Sequence, residues 1–232
     1  MILGKKISLI LPTLNESEGL AYLKEKIPSS IDEVLIVDGD SRDKTREIAE
    51  SFGWRVIVEK RRGYGRAYKT GFEQAQGEII ATADADGTYP VENIETLAKE
   101  LLTDNLGFIS CSRFPLADSQ SMNRLNQIGN SAITLAASIL WLHSFNDILS
   151  GMWIFKKDVL EQFVLESDNW NFSEEVKLRS YQALQDQFKE IQISYRNRLG
   201  ETKLMPWKVG LENILYMLKM RLERLSDKRT KA

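Results

Sequence analysis

GEIIATADADGTYP, residues 77–90, runs from a short apolar segment straight into Asp84-Ala85-Asp86, then Gly, Thr and, two residues later, Pro. In an extended strand successive side chains alternate, so carboxylates two apart project the same way and can share one hard cation through oxygen ligands. A strand ending in such a pair is a natural seat for a metal-bound diphosphate. Asp and Gly after a strand also make plain turns, so the reading depends on what converges beside them.

On the amino-terminal side, KISLIL (6–11) reads as a strand, a helical pattern follows at about 17–28, and EVLIV (33–37) is a second strand ending in Asp38-Gly39-Asp40-Ser41. A helix over about 42–53, a strand RVIVE (55–59) and a helix near 64–76 lead into the strand EIIATA (78–83). A helix at 90–103 and the strand FISCS (108–112) follow. Short strands alternating with helices predict an α/β fold with a mostly parallel central sheet flanked by helices, buried on both faces. Ligands of such sheets sit beyond the carboxyl ends of the strands. That places 12–16, 38–41 and 84–88 on one rim.

After residue 112 the rhythm changes: a long helical pattern over about 121–142, a turn NDILSG, a short strand WIF, helices near 157–165 and 172–185, a strand KEIQISY (189–195) and a last helix over about 206–225. No repeat or low-complexity linker divides the chain. The expectation is one domain over 1–232, its rhythm changing between a first half at about 1–112 and a second at about 113–232.

Bulk properties remove several function classes. With 31 basic and 33 acidic residues the net charge is -2, which argues against a nucleic-acid binder working by general phosphate attraction. A single cysteine, Cys111, excludes an internal disulfide framework and reads as a small buried hydrophobe in a reducing compartment. With His143 as the sole histidine, neither a zinc centre nor a His-dependent nucleophilic site is expected. MILGKKISLILP interrupts its apolar letters with two lysines and reads as a first strand, not a signal peptide. The most apolar window, ITLAASILWL (133–142), is about half the ~20 residues that cross a bilayer.

Seven segments, in order along nearly the whole chain, resemble the family 2 glycosyltransferases of the GT-A fold, in the branch that moves a sugar from a nucleotide to a polyprenyl phosphate. They are LPTLNE (11–16), VDGDSRDKT (37–45), RRGYGRAYKTG (61–71), DADGTYP (84–90), SRF (112–114), DILSGMWIF (147–155) and RNRLGETKL (196–204). The resemblance implies that Pro12, Leu14 and Glu16 wrap the nucleotide, with Glu16 accepting from a base or ribose hydroxyl. Asn15 with Glu18 also spells a capping box. Asp38 falls on the first aspartate of a family pair and is the candidate for base or ribose, whereas Gly39 stands where the second aspartate usually is, which puts Asp40 in doubt. Ser41 could equally cap the next helix.

Gly63 and Gly65, in a turn entering a helix, lack the β-carbons that would keep a ligand away from the backbone. The resemblance assigns Asp84, with Ala85 between, to ribose or metal, and Asp86 to a divalent ion bridging the diphosphate. Gly87-Thr88 replaces the Leu-Gln often found there, so a third side-chain ligand is not fixed. Oxygen ligands suit Mg²⁺ or Mn²⁺ as the cofactor.

No histidine is placed to act as a base, and a phosphate monoester with a second pKa near ~6 needs none, because it is already an anionic nucleophile at pH 7. It needs cations. Arg113, Arg124, Arg198 and Lys203 lie at positions resembling basic residues of the family, and the alternative for each is ordinary surface charge. Asp86 and Arg113 are the residues expected to be catalytic. Trp153 stands where relatives usually show an Arg and belongs either to the acceptor groove or to the core. Glu174 and Glu175 resemble a family acidic position near the acceptor or lie on a solvated helix face.

The implied activity is inverting transfer of a sugar, with mannose from GDP-mannose the first expectation, to a polyprenyl or dolichyl phosphate on the cytoplasmic face of a membrane. Two alternatives stay open: a UDP-sugar (glucose or N-acetylglucosamine) given to a lipid phosphate or to a polysaccharide hydroxyl, and a nucleotide-sugar-binding regulator without turnover. The implied partners are a nucleotide diphosphate sugar, the lipid phosphate, a membrane surface and, as an option, a separate membrane protein. For the membrane, 130–145 can form a helix with a broad apolar surface, and the last helix carries Leu211, Ile214, Leu215, Leu218, Leu222 and Leu225 among basic residues. Packing onto the sheet is the alternative for both.

Overall fold

The structure, a computed structural model, describes residues 1–199 and 206–230, with side chains of α7 described over 210–223. In chain order the elements are β1 (Ile7–Thr13), α1 (Ser17–Lys24), β2 (Glu33–Asp38), α2 (Thr45–Ser51), β3 (Arg55–Val58), α3 (Tyr64–Gln74) and β4 (Ile79–Thr82). Then come α4 (Ile94–Thr103), β5 (Phe108–Ser112), α5 (Arg124–Trp141), β6 (Trp153–Lys156), α6 (Phe172–Leu184), β7 (Phe188–Gln192) and α7 (Pro206–Thr230). Several expected boundaries shift by a few residues, and two elements differ most. Residues 157–165 form no α-helix but a 3₁₀ segment, Lys157–Gln162, and the last helix runs on to Thr230.

The seven strands form one sheet in the order β3-β2-β1-β4-β6-β5-β7. Every pairing is parallel except those of β6, which lies antiparallel between β4 and β5. The expected mostly parallel α/β sheet is therefore present, with one reversed strand. That reversal positions the site: because β6 runs the other way, its entry, Gly151-Met152, arrives at the rim where β4 and β5 end. Thr82 pins it there, donating to the Gly151 carbonyl at 2.9 Å and accepting from Trp153 N at 2.9 Å.

Alternation along the strands feeds two core layers. Ile7, Leu9 and Leu11 of β1, with Ile79 and Ala81 of β4, face α1 and α4 through Leu20, Leu23, Leu97, Ala98 and Leu101. Ile10 and Ile80 face the other way, onto Tyr68 and Phe72 of α3 and Phe172 and Val176 of α6. Full burial of such side chains is worth about 1.5–3 kcal/mol each, which explains why these strands read as unbroken apolar runs. Trp153 belongs to this second layer, wholly buried against Tyr68 and Phe172, so the core reading of Trp153 is the correct one. A third cluster joins α5 to α7 through Ile133, Ala137, Trp141, Met217 and Met220.

Cys111 is fully buried and burial pushes its thiol far above the ordinary range. It is expected to stay unmodified by thiol reagents until the protein unfolds, as mass spectrometry after mild alkylation would read.

Candidate active site

The loops after β1, β2, β4 and β5 gather at one rim, joined there by the entry to β6 and by 195–199. Asp84 and Asp86 leave β4 into this rim, Asp86 almost wholly buried. Thr88 donates to Asp86 Oδ1 twice, from its backbone N at 3.0 Å and its hydroxyl at 2.6 Å, which fixes the carboxylate's orientation. Tyr64, at the first turn of α3, donates to Asp84 Oδ1 at 3.2 Å. Burial, then the neighbouring charge of Asp86, push the Asp84 carboxyl up to about 7. Two crowded carboxylates that repel in a desolvated rim are the donor set a hard divalent cation relieves.

Backbone room matters as much as charge. A β-carbon on Gly19 would lie 1.9 Å from the Ala85 carbonyl, and one on Gly151 would lie 2.5 Å from the Tyr64 hydroxyl and 3.4 Å from Asp84 Oδ1. The acidic motif is thus wedged between α1 and the β6 entry. Gly151→Ala is expected to displace Tyr64 and Asp84 and to lower turnover more than tenfold while costing about 1–3 kcal/mol in stability, read by steady-state assay and thermal melting.

Arg198 lies across the site. Its Nη1 reaches Asp86 Oδ2 at 2.7 Å and its Nη2 reaches Glu16 Oε1 at 2.8 Å. Backbone bonds hold the segment in place, from Arg196 N to the Thr88 carbonyl and from Leu199 N to the Asp86 carbonyl, both 2.9 Å. Glu16, Asp86 and Arg198 thereby come together although they are up to 182 positions apart in sequence. Arg198 was expected among cations for an acceptor phosphate, and here it bridges the two carboxylates expected to meet the donor. Lys203 lies outside the described residues.

Arg113, just past β5, is buried. It grips Asp147 with Nε at 2.7 Å, Nη2 at 2.9 Å and its backbone N at 3.0 Å, and extends Nη2 to Asn130 Oδ1 of α5 at 3.3 Å. Its guanidinium lies 5.4 Å from the centre of the Tyr195 ring. The surface-charge alternative therefore does not apply to Arg113. Burial opposes both charges, but the pairing wins: Asp147 holds Arg113 protonated, and Arg113, helped by Lys177, keeps the Asp147 carboxyl below its ordinary range. Arg124, by contrast, is exposed at the start of α5.

Several expected ligand residues have other partners. Asp38 is fully buried, accepting from Thr13 Oγ1 at 2.9 Å, Ser41 N at 2.9 Å and Ser41 Oγ at 2.5 Å, so it ties β1 to the loop after β2. Ser41 caps no helix; its hydroxyl accepts from Asn15 N at 2.8 Å. Nor does Asn15 form a capping box, because its Oδ1 accepts from Arg42 N at 2.8 Å and α1 starts beyond Glu16. Pro12 is half-buried in β1 and Leu14 is exposed beside it. Gly63 and Gly65 do permit a close backbone approach, but by the protein itself. Added β-carbons would meet the Asp168 carbonyl at 2.0 Å and the Ser167 carbonyl at 2.6 Å, with Gly63 at φ +137. The space is filled by the 167–172 segment, whose Asp168 carbonyl also accepts from Arg66 N at 3.1 Å.

Glu174 and Glu175 are both buried on α6, so neither lies on a solvated face. Glu175 accepts from Glu166 N at 3.0 Å and Ser167 N at 2.9 Å. Both Glu174 oxygens lack a hydrogen-bond partner, and burial raises its carboxyl well above the ordinary range. Lys177, one turn along, donates to the Asp147 carbonyl at 2.8 Å, and burial pulls its amine down to about 7. Asp147, Arg113, Glu190 and Glu174 are the charges around it. From about pH 7 to its ordinary 10.5 the unfolded chain holds a proton that the folded chain releases, so stability is gained as pH rises through this window. The melting temperature of the wild type minus that of Lys177→Met is therefore expected to rise between pH 6 and pH 9; a flat difference would contradict it.

The seven-stranded, mostly parallel sheet flanked by helices is the fold of the GT-A glycosyltransferases. The Glycosyl transferase family 2 model matches residues 8–164, and the chain belongs to that family and is an enzyme of it. It is 31% identical over 207 residues to a dolichyl-phosphate hexose transferase of Haloferax volcanii, an alignment covering 88% of this chain and 89% of the relative. A dolichol-phosphate mannosyltransferase of Pyrococcus furiosus is 33% identical over 105 residues, 41% of this chain and 30% of its own. Among solved structures, glucosyl-3-phosphoglycerate synthase of Mycobacterium tuberculosis, in complex with Mn²⁺ and UDP-glucose, superposes with a TM-score of 0.75 at 19% identity, covering 94% of this chain and 79% of that one.

Proposed function

We propose that this enzyme transfers a hexose from a nucleotide sugar to a polyprenyl or dolichyl phosphate, with inversion, on the cytoplasmic face of a membrane. The observation that carries the reading is the division of the rim: a paired carboxylate site at Asp84 and Asp86 on one side, and a buried, permanently charged Arg113 on the other. The full-length likeness to a dolichyl-phosphate hexose transferase supports the acceptor class. Mannose from GDP-mannose remains the first expectation, with UDP-glucose or UDP-N-acetylglucosamine as the competing donors.

The donor set at Asp84 and Asp86 fits a divalent cation, Mg²⁺ or Mn²⁺, which would supply charge neutralisation on the departing nucleoside diphosphate. The chain's own residues do the rest. Thr88 orients Asp86, Tyr64 orients Asp84, and Glu16 with the half-exposed Arg198 borders the nucleotide. Arg198, between Glu16 and Asp86, places a positive charge beside the position the nucleotide phosphates would take. Arg113, held by Asp147 and Asn130, orients the acceptor phosphate for in-line attack at the anomeric carbon. On this division residues 1–112 serve the donor and 113–232 the acceptor, with Arg198 reaching back to the donor side.

The two glutamates of α6 support a phosphate over a hydroxyl acceptor. Glu175 is committed to the 166–167 backbone, and Glu174 is wholly buried on α6, so neither carboxylate is presented to an acceptor hydroxyl as a base. The test is a panel of labelled GDP-mannose, UDP-glucose and UDP-N-acetylglucosamine with polyprenyl phosphate and Mn²⁺. A labelled lipid from one donor is the expected result. Transfer only to saccharide hydroxyls, or binding without product from every donor, would refute the proposal.

A further inference from the structure

Of the tryptophans whose side chains are described, Trp170, just before α6, alone is exposed, at 38%. It does not hang loose on the surface. Its ring stacks on Tyr64, with centroids 4.8 Å apart and planes 22° apart. Tyr64 in turn meets Tyr68 edge-on at 4.9 Å, and Tyr68 packs on Phe172 and Trp153 in the core at 5.9 and 5.1 Å. The rings form a column that rises from the core to the rim and ends on an indole with one side open. The backbone beneath that indole is pinned. The Asp168 carbonyl accepts from Arg66 N at 3.1 Å and its carboxylate pairs with Lys69 Nζ at 2.6 Å, Asn169 N donates to Ser167 Oγ at 3.1 Å, and the Trp170 carbonyl accepts from Ser173 N at 3.4 Å. An exposed indole held flat by such a column is a pre-organised surface for a partner with an apolar face.

We infer that Trp170 is the platform on which the donor's hexose ring stacks, through the C–H groups of one pyranose face. The placement selects the sugar over the base. Tyr64, which carries the indole, donates to Asp84 Oδ1 at 3.2 Å, and a β-carbon on Gly151 would lie 2.5 Å from the same hydroxyl. The column therefore opens beside the end of β4 and the entry to β6. In the sheet β6 lies between β4 and β5, hence between the acidic pair and Arg113. The anomeric carbon must sit between the diphosphate it leaves and the phosphate it joins, so the hexose has to span this strip. The nucleoside, bordered by Glu16, belongs to the β1 side, beyond β4. A pyranose carries C–H groups on its faces and hydroxyls around its edge, so it can cover an indole while its hydroxyls keep their hydrogen bonds. The inference rests on the hexose-transfer reading above and adds to it a residue that recognises the sugar.

The test is isothermal titration of the wild type, Trp170→Ala and Trp170→Phe with GDP-mannose, UDP-glucose and UDP-N-acetylglucosamine, beside GDP and UDP, all with Mn²⁺. For the sugar nucleotide that the wild type binds, Trp170→Ala should weaken affinity about five- to tenfold, while the matching nucleoside diphosphate binds as before. Trp170→Phe keeps a ring on Tyr64 and should bind that sugar nucleotide within about twofold of the wild type. Melting curves of both variants are expected to match the wild type, because the indole is the exposed end of its column. Equal affinity of the wild type and Trp170→Ala for the sugar nucleotide overturns the inference. So does an equal loss for sugar nucleotide and nucleoside diphosphate, which would give the indole to the base or to the fold. Failure of the wild type to bind any of the three sugar nucleotides sinks the donor reading itself, and this inference with it.

Discussion

Asp86→Asn is expected to lower turnover about 10²–10³-fold while changing stability by less than about 2 kcal/mol. The asymmetry follows from what the side chain touches. Asparagine keeps an oxygen to accept from Thr88 N and Thr88 Oγ, so the loop after β4 retains its shape. Arg198 loses one of its two carboxylates and keeps Glu16, and since it is partly exposed, water makes up the difference. What is lost is the negative charge that, with Asp84, would hold a divalent ion against the diphosphate. Stopped assays at saturating donor and Mn²⁺, beside thermal melting, separate the effects. A variant with wild-type turnover would remove Asp86 from the chemistry.

Asp147→Asn should have the largest effect on the fold. It removes the charge opposite Arg113, a residue 7% exposed whose guanidinium donates to Asp147 from Nε and Nη2 and whose backbone N donates to it as well. An uncompensated buried charge costs about 3–5 kcal/mol, which in a chain of this size lowers the melting temperature by about 10 °C. Arg113→Met/Asp147→Leu, which removes both charges, should recover much of that stability and none of the activity. Recovery of the fold without turnover marks Arg113 as a functional cation whose partner serves to keep it in place. Equal destabilisation by the single and double changes would contradict this.

The fold was readable because it rests on signals that are local: apolar runs of four to seven residues, buried on both faces, separated by helices. The reversed β6 was not readable, since WIF carries no mark of direction and only its pairing with β4 and β5 sets it. Site residues divide in the same way. Asp84 and Asp86 were legible as an acidic run following a strand at the ligand rim, but the strand alternation expected to aim them alike was not the cause, since β4 ends at Thr82 and both lie in the loop beyond it. Gly63 and Gly65 were legible as points of close approach, but not what approaches them, the Asp168 and Ser167 carbonyls about a hundred residues on. Asn15 and Ser41 read as helix caps, yet each found a partner in the neighbouring loop, a tertiary bond that outcompeted the local one. Arg198 and Asp147 acquired their partners, Glu16 with Asp86 and Arg113, through chain returns that no spacing encodes, and Tyr64 offered no signal beyond its place after Gly63.

The central claim is that Asp84 and Asp86 together seat a cation-bound nucleotide diphosphate sugar. Isothermal titration of the wild type and of Asp84→Asn/Asp86→Asn with GDP-mannose and with UDP-glucose, each with and without Mn²⁺, tests it most directly. The account predicts that one donor binds the wild type in a manner that requires Mn²⁺, and that the double variant, folded by its melting curve, loses the Mn²⁺-dependent part. Equal, Mn²⁺-dependent binding by both proteins would contradict it.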